Sequence, residues 1–375
     1  MKAPFPLLLT VLALAACGTN ASGTASHPRS TPAPPAAVQP LSQSASPSPD
    51  ATPGQEPATP PQPVIVVKSP NGMVAAMTAD GTFRWAFDPH KLGIPDPVLV
   101  TGGPNLLAIG DGRVVVIDRT GAVIGRGTYG GESPMGAVPA LHPSPTGTRW
   151  AWTTVTTAPQ PGASTTGPHA SSLWVAGLGE PPHKVRTWTG DYDVESRQWS
   201  DAGIVDVKLD YRCGLLPLSS VLVDPATGAE SALFGPDRWP LDVRAGLRVA
   251  MDSDGKSLYV AGSAQMTRTY PLLIQAAGIG SSGSRLFVST LNMSGCGGSA
   301  KAATSVVDVP SGQETTIAGF FADAWLDDTH LLGRSPVQGP PQGVTWSAHV
   351  QVADLSGHQS DLALGTLIGV LHGYE

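Results

Sequence analysis

Three cysteines, nine histidines and a few clusters of acids with aromatics are the groups in this 375-residue chain that could do chemistry. A serine hydrolase needs its nucleophile on a tight Gly-x-Ser-x-Gly turn that lifts the hydroxyl clear of a sheet. Gly131-Glu132-Ser133-Pro134-Met135 comes nearest and lacks the second glycine. A metal centre needs histidines or acids spaced to share a helix face or a hairpin. The histidines are scattered instead, and His90, His183 and His358 lie beside Pro or Gly, in expected solvated loops. Asp323, Asp327 and Asp328 surround Trp325 without the full spacing of a calcium loop, so they read as an exposed turn. Asp191-Tyr192-Asp193, Trp199-Ser200-Asp201 and Asp210-Tyr211-Arg212 interleave aromatics with acids and an arginine. That mixture suits a binding rim, because aromatic and Arg anchors dominate interface energies. Tyr211 and Arg212 are the expected ligand-facing pair. No catalytic set, metal site or cofactor site emerges.

Cys17 has a more definite chemistry. It follows Leu14-Ala15-Ala16 and closes an apolar run of 14 residues, Ala3 to Ala16, behind the positive Lys2. A bilayer core of about 30 Å needs roughly 20 apolar residues, so this run is a leader and not a membrane span. Leu14-Ala15-Ala16-Cys17 resembles the lipobox of bacterial lipoproteins. The resemblance implies that residues 1–16 are a signal peptide and that Cys17 becomes an acylated N-terminus, carrying palmitate-type chains. It also implies that the mature protein is anchored on the extracytoplasmic side of a cell-envelope membrane. Gly18 stands where some members of that family carry the aspartate of inner-membrane retention.

Residues 17–62 read as the lipidated cysteine and a disordered tether. Between 18 and 62, 31 of 45 residues are Pro, Ser, Thr or Ala and none is aromatic. Such a segment cannot bury enough apolar surface to offset its ordering entropy. Its reach is between roughly 40 Å as a coil and roughly 140 Å as polyproline II.

Residues 63–375 carry all nine tryptophans and form the expected folded domain. A formal charge of −7 argues against nucleic acid or anionic lipid headgroups as main partners. Sustained 3.6-residue periodicity is missing. Short runs such as Val64-Ile65-Val66-Val67, Val114-Val115-Val116-Ile117 and Leu258-Tyr259-Val260-Ala261 recur between Gly, Pro, Asp and Ser, the pattern of strands and turns. Two elements alternate. One is a turn entering a strand, as in Ser144-Pro145-Thr146-Gly147 and Asp252-Ser253-Asp254-Gly255. The other is a strand entering an Asp/Pro/Gly turn, as at Asp118–Gly121, Asp224–Gly228 and Val309–Gly312. Alternation at about 40–50 residues reads as four-stranded blades.

The Ser-Pro-x-Gly turn followed by an apolar strand resembles the repeat of TolB-like and WD-repeat-like bacterial β-propellers. Thr146 and Ser282-Gly283 depart from that pattern. The expected fold is all-β, a propeller of seven blades near 63–97, 98–137, 138–190, 191–235, 236–276, 277–318 and 319–364. Six or eight blades are left open by the count, and a pair of β-sandwiches is the alternative architecture. Thr366 to Leu371 are expected to close the ring against the first blade. Ala79-Asp80-Gly81-Thr82-Phe83-Arg84-Trp85 is similar to the tryptophan-docking repeat of quinoprotein propellers, in which the tryptophan packs between blades. Trp85 is expected to do so here, and Trp199 has the same reading beside its place on a rim.

With Cys17 acylated, Cys213 and Cys296 remain, and export allows them to form a disulfide. The expected function is a membrane-anchored binding or scaffolding module for a protein or small ligand on a propeller face. An extracytoplasmic enzyme, lactonase-like or quinone-dependent with its site in the central channel, ranks behind it. A sensory partner of a membrane signalling or secretion system is the third reading.

Overall fold

The computed structural model describes residues 62–130, 139–156, 169–210, 216–292, 301–337 and 345–372. Cys17, Tyr211, Arg212, Cys213 and Cys296 lie outside them, as do the expected signal peptide and all but the last residue of the expected tether.

The β-branched runs become seven antiparallel four-stranded sheets. Their first strands are Val98–Gly102, His142–Pro143, Tyr192–Ser200, Arg238–Arg244, Leu273–Ile279 and Phe321–Asp327 in blades 2 to 7. Blade 1 takes its first strand from the far end of the chain. Thr366–Leu371 pairs with Val64–Lys68, from Val64 opposite Leu371 to Lys68 opposite Thr366. First strands of neighbouring blades touch in a closed circle, including Phe321–Asp327 against Thr366–Leu371. The expected closure is therefore present, and the described residues make seven blades around one axis. Blade 7 carries a small extra hairpin, Pro336–Val337 with Thr345–Trp346.

The blade limits match the expected ones with one shift. Blade 6 begins at Leu273, four residues before 277. Pro271 follows Tyr270 just after the last strand of blade 5, Met266–Thr269, and cannot donate to a ladder, so the chain breaks there. His183 also lies in a strand, Glu180–Gly190, and not in a loop. That strand is the outer edge of blade 3, where Pro181 and Pro182 cost no ladder partner on the solvent side.

Middle strands are buried on both sides because a blade is covered by its neighbours on both faces. Asn105–Gly110 is buried throughout. Seven apolar clusters fill the seams, one between each pair of adjacent blades. Each fully buried Val, Ile or Leu contributes about 1.5–3 kcal/mol of apolar transfer.

The recurring turns have a local cause. Asp118 Oδ1 accepts N–H bonds from Thr120 and Ala122, and Asp224 Oδ1 accepts them from Ala226 and Thr227. The Thr227 and Ala226 amides hold the Asp224 carboxyl below the usual carboxylate range. The outer strand of one blade then docks on this turn in the next. Trp85 Nε1 donates to Arg119 O at 2.9 Å, and Trp188 Nε1 to Glu230 at 2.8 Å. Arg268 reaches Gly312 O and Glu314 in the same way. Trp85 packs between blades 1 and 2, as expected. Gly147 shows why the Thr146 variant of the turn still needs its glycine. It has φ 65°, and a Cβ there would run into the Gly102 carbonyl of blade 2.

Candidate functional site

In blades 4 to 7 the first strand carries at least one residue more than its partner can match. Pairing steps from Ser196–Asp206 to Gln198–Val205 in blade 4, and from Pro240–Ala250 to Asp242–Val249 in blade 5. It steps from Ile274–Thr290 to Ala276–Ser289 in blade 6, and from Ala322–Gly333 to Ala324–Leu332 in blade 7. The extra residues at these steps are Arg197, Leu241, Gln275 and Asp323; blade 7 steps once more, past the buried Leu326. A β-bulge bends its strand and re-aims the side chain, and bulges gather next to binding and active sites. All four of these residues line one cavity of about 300 Å³. Phe287 and Pro240 add apolar wall.

Each bulged strand is seated by polar side chains of the preceding blade. Thr153 Oγ1 accepts from Ser196 N, and Ser171 Oγ accepts from Val194 N, so blade 3 holds blade 4. Gln198 Oε1 accepts from Val243 N at 3.0 Å, holding blade 5. Asp242 Oδ2 accepts from Ile279 N at 2.7 Å, holding blade 6, while its Oδ1 takes a bond from Gln198 Nε2. Thr304 Oγ1 accepts from Ala322 N and donates to Phe320 O, and Ser289 Oγ donates to Ala322 O, holding blade 7. A bulge frees backbone groups from the ladder. Buried, they would each cost about 1–3 kcal/mol without such partners. The supports explain why Ser171, Asp242, Ser289 and Thr304 sit inside an otherwise apolar wall.

The charges at the cavity are paired and held. Arg197 bonds Glu195 at 2.9 Å and lies over the Trp239 ring at 5.2 Å. Asp323 bonds Arg334 at 3.3 Å, and Arg334 lies over Trp346 at 4.4 Å. Burial pushes the Asp323 carboxyl above its ordinary value, with Arg334 opposing. Gln275 has no side-chain hydrogen bond among the described residues, so its amide is available to a ligand. The arrangement offers a guanidinium, an amide, a carboxylate and an apolar wall for non-covalent binding.

Behind Arg197 sits a buried polar pair. Asp206 is fully buried and accepts from Ser196 Oγ at 2.6 Å, while its Oδ2 has no partner among the described residues. Burial pushes its carboxyl up to about 7, against the Ser196 bond. Burial pushes the His142 imidazole down to about 4, with the Ser196 backbone opposing and Arg197 reinforcing.

The sequence-level candidates fare unevenly. Tyr192 and Trp199 pack in the seam between blades 3 and 4, with Arg149 over the Trp199 ring at 5.5 Å. Asp201 is exposed in the turn between the first two strands of blade 4. Asp327 caps the turn to Thr329 and His330, and Asp328 accepts from Ser281 Oγ, as an exposed turn requires. Asp323 departs from its companions: it lies at the bulge and faces the cavity. Arg197, Leu241 and Gln275 were not candidates, because an extra residue is visible only against the strand it pairs with. Among the described residues no three His, Cys, Asp or Glu side chains group as metal ligands.

No family model and no curated protein matches this chain. Solved structures do. An acylaminoacyl peptidase from Pyrococcus horikoshii is 11% identical, with 78% of this chain and 47% of that one covered, at a TM-score of 0.54. The β-propeller domain of the Trilobed protease from Pyrococcus furiosus is 11% identical, with 81% and 95% covered and a TM-score of 0.50. A prolyl endopeptidase is 13% identical, with 84% and 49% covered and a TM-score of 0.50. The chain spans about half the length of the two whole peptidases it matches. Identities this low speak to fold alone. The chain is a seven-bladed β-propeller.

Proposed function

We propose that this chain is a membrane-anchored, extracytoplasmic lipoprotein whose propeller is a binding module, and that the cavity of blades 4 to 7 is its binding site. One observation carries the binding half. Four successive first-strand bulges deliver Arg197, Leu241, Gln275 and Asp323 to a single cavity. Its volume is at the lower end of the roughly 300–1,000 Å³ of ligand pockets, and its lining is about equally polar and apolar. The anchoring half rests on Lys2, the apolar run and Leu14-Ala15-Ala16-Cys17. Two or three acyl chains on Cys17 would give stable attachment, whereas one holds only reversibly.

The experiment has two arms. Palmitate labelling and membrane fractionation of the wild type and Cys17→Ser should show label and membrane retention only in the wild type; equal retention would sink the anchor. Pull-downs from membranes with the wild type and Leu241→Trp, which fills the cavity, should differ in partner or ligand recovery. Identical recovery would move the site elsewhere.

A further inference from the structure

We infer that the cavity binds a short peptide of two or three residues with both termini free, its carboxylate toward Arg197 and its ammonium toward Asp323. The inference rests on the cavity reading above and gives that site a ligand class.

Charge comes first. The cavity presents one cation and one anion from its bulges, each already balanced by a neighbour, Glu195 for Arg197 and Arg334 for Asp323. A ligand of net charge would gain one pole and meet the other as a repulsion. A neutral molecule with a charge at each end complements both.

Separation comes second. Arg197 is on the first strand of blade 4 and Asp323 on that of blade 7, with blades 5 and 6 between them. A free α-amino acid has both charges on one carbon, whereas two or three extended residues carry them about 7–10 Å apart.

The wall between the poles comes third. Leu241 and Pro240 of blade 5 and Phe287 of blade 6 provide apolar surface for a side chain. Gln275 of blade 6, with its amide free of partners among the described residues, matches a peptide bond, which both donates and accepts. Arg197 is steadied on Trp239 and by Glu195, so its guanidinium is set in place before a carboxylate arrives.

The test is calorimetric titration of the purified chain with Ala-Leu-Ala, its N-acetyl form, its C-terminal amide and free leucine. The free tripeptide should bind, and blocking either end should weaken it about tenfold, a loss typical of one charged contact. Arg197→Gln should remove the difference between acid and amide only. Asp323→Asn should remove the difference between amine and N-acetyl only. Leu241→Trp should remove binding, with unchanged circular dichroism and melting showing that each variant is folded. Equal binding of free and blocked peptides, equal binding of leucine, or no saturable heat with any peptide would overturn the inference. Succinate and 1,4-diaminobutane serve as further probes. If only one of these binds, in a manner that Leu241→Trp removes, the peptide class falls while the cavity remains a binding site. If no probe binds and membrane pull-downs with Leu241→Trp match the wild type, both readings fall.

Discussion

Blades 1 and 2 are built from the same repeating unit as blades 4 to 7 and use it differently. In blade 2 the first strand pairs without interruption from Val98 opposite Ile109 to Gly102 opposite Asn105. Buried polar residues in blades 1 and 2 are Thr78 and Asn105 alone among the described residues, and their seam is Val, Ile, Leu and Ala with Trp85 and Phe87 packed against it. The closing strand does skip a residue, but that residue is the apolar Ile368. In blades 4 to 7 every first strand bulges, and Asp206, Asp242, Ser289 and Thr304 are buried behind the bulges. One half of the ring is a packed wall. The other gives up ladder pairing and apolar burial to hold a shaped, polar cavity.

The largest break in this comparison should come from the packed half. Leu107 is fully buried between blades 2 and 3 on an unbroken strand that cannot collapse around a gap. Leu107→Ala should cost about 4 kcal/mol in denaturant unfolding. Ligand binding in the folded fraction should be unchanged. A loss below about 1 kcal/mol would mean that the wall is not what holds the ring.

The next effect is one of pH and belongs to the cavity half. The Asp206 carboxyl is raised from 3.8 to about 7. Between those values the native chain keeps a proton that the unfolded chain has released, so this group makes stability fall as pH rises. The slope is about 1.4 kcal/mol per pH unit, accumulating to about 4 kcal/mol by neutrality. His142, lowered from 6.5 to about 4, acts in the opposite sense: there the unfolded chain holds the extra proton, and stability rises with pH. His372, lowered chiefly by burial, adds to that rise. The wild type should therefore be flatter between pH 4 and 7 than Asp206→Asn, whose stability should climb. Parallel profiles in urea titrations across that range would remove Asp206 from the account.

A smaller loss should follow Gln198→Ala. It strips the Val243 amide of its partner and removes a donor from Asp242. About 2 kcal/mol is expected in thermal unfolding, with weakened ligand binding because the bulges at Leu241 and Arg197 lose their support. An equally large loss of stability with intact binding would separate the support from the site. The least effect on stability should come from Arg197→Gln and Asp323→Asn. Their ion pairs are partly exposed and contribute about 0–1 kcal/mol. These variants should melt like the wild type and differ only in binding.

Much of the ring is legible in the sequence. Val64–Val67, Val114–Ile117 and Leu258–Ala261 fall in strands because β-branched runs between turn residues have few other uses. Asp224 and Gly228 mark a turn because a carboxylate caps free amides and glycine accepts a positive φ. The closing strand was legible as a surplus run, Thr366–Leu371, left over after seven blades. Asp323 was misjudged because its neighbours Asp327 and Asp328 do belong to a turn, and spacing along the chain does not show which acid lies across a ladder. Asp206 and His142 carried no signal, since their shifted protonation comes from burial, which the packing of the blades around them imposes. Tyr211 and Arg212 remain a sequence expectation alone.

The sequence by itself determined where most strands lie and that they repeat as four-stranded blades, with seven as the expected count. These are local matters of side-chain branching and turn geometry. The tertiary structure decided the site. Whether Arg197 or Asp323 is an extra residue depends on the register of the strand beside it. Whether four such residues meet depends on the ring bringing blades 4 to 7 around one axis. No window along the chain holds either fact, because both are relations between segments that only folding brings together.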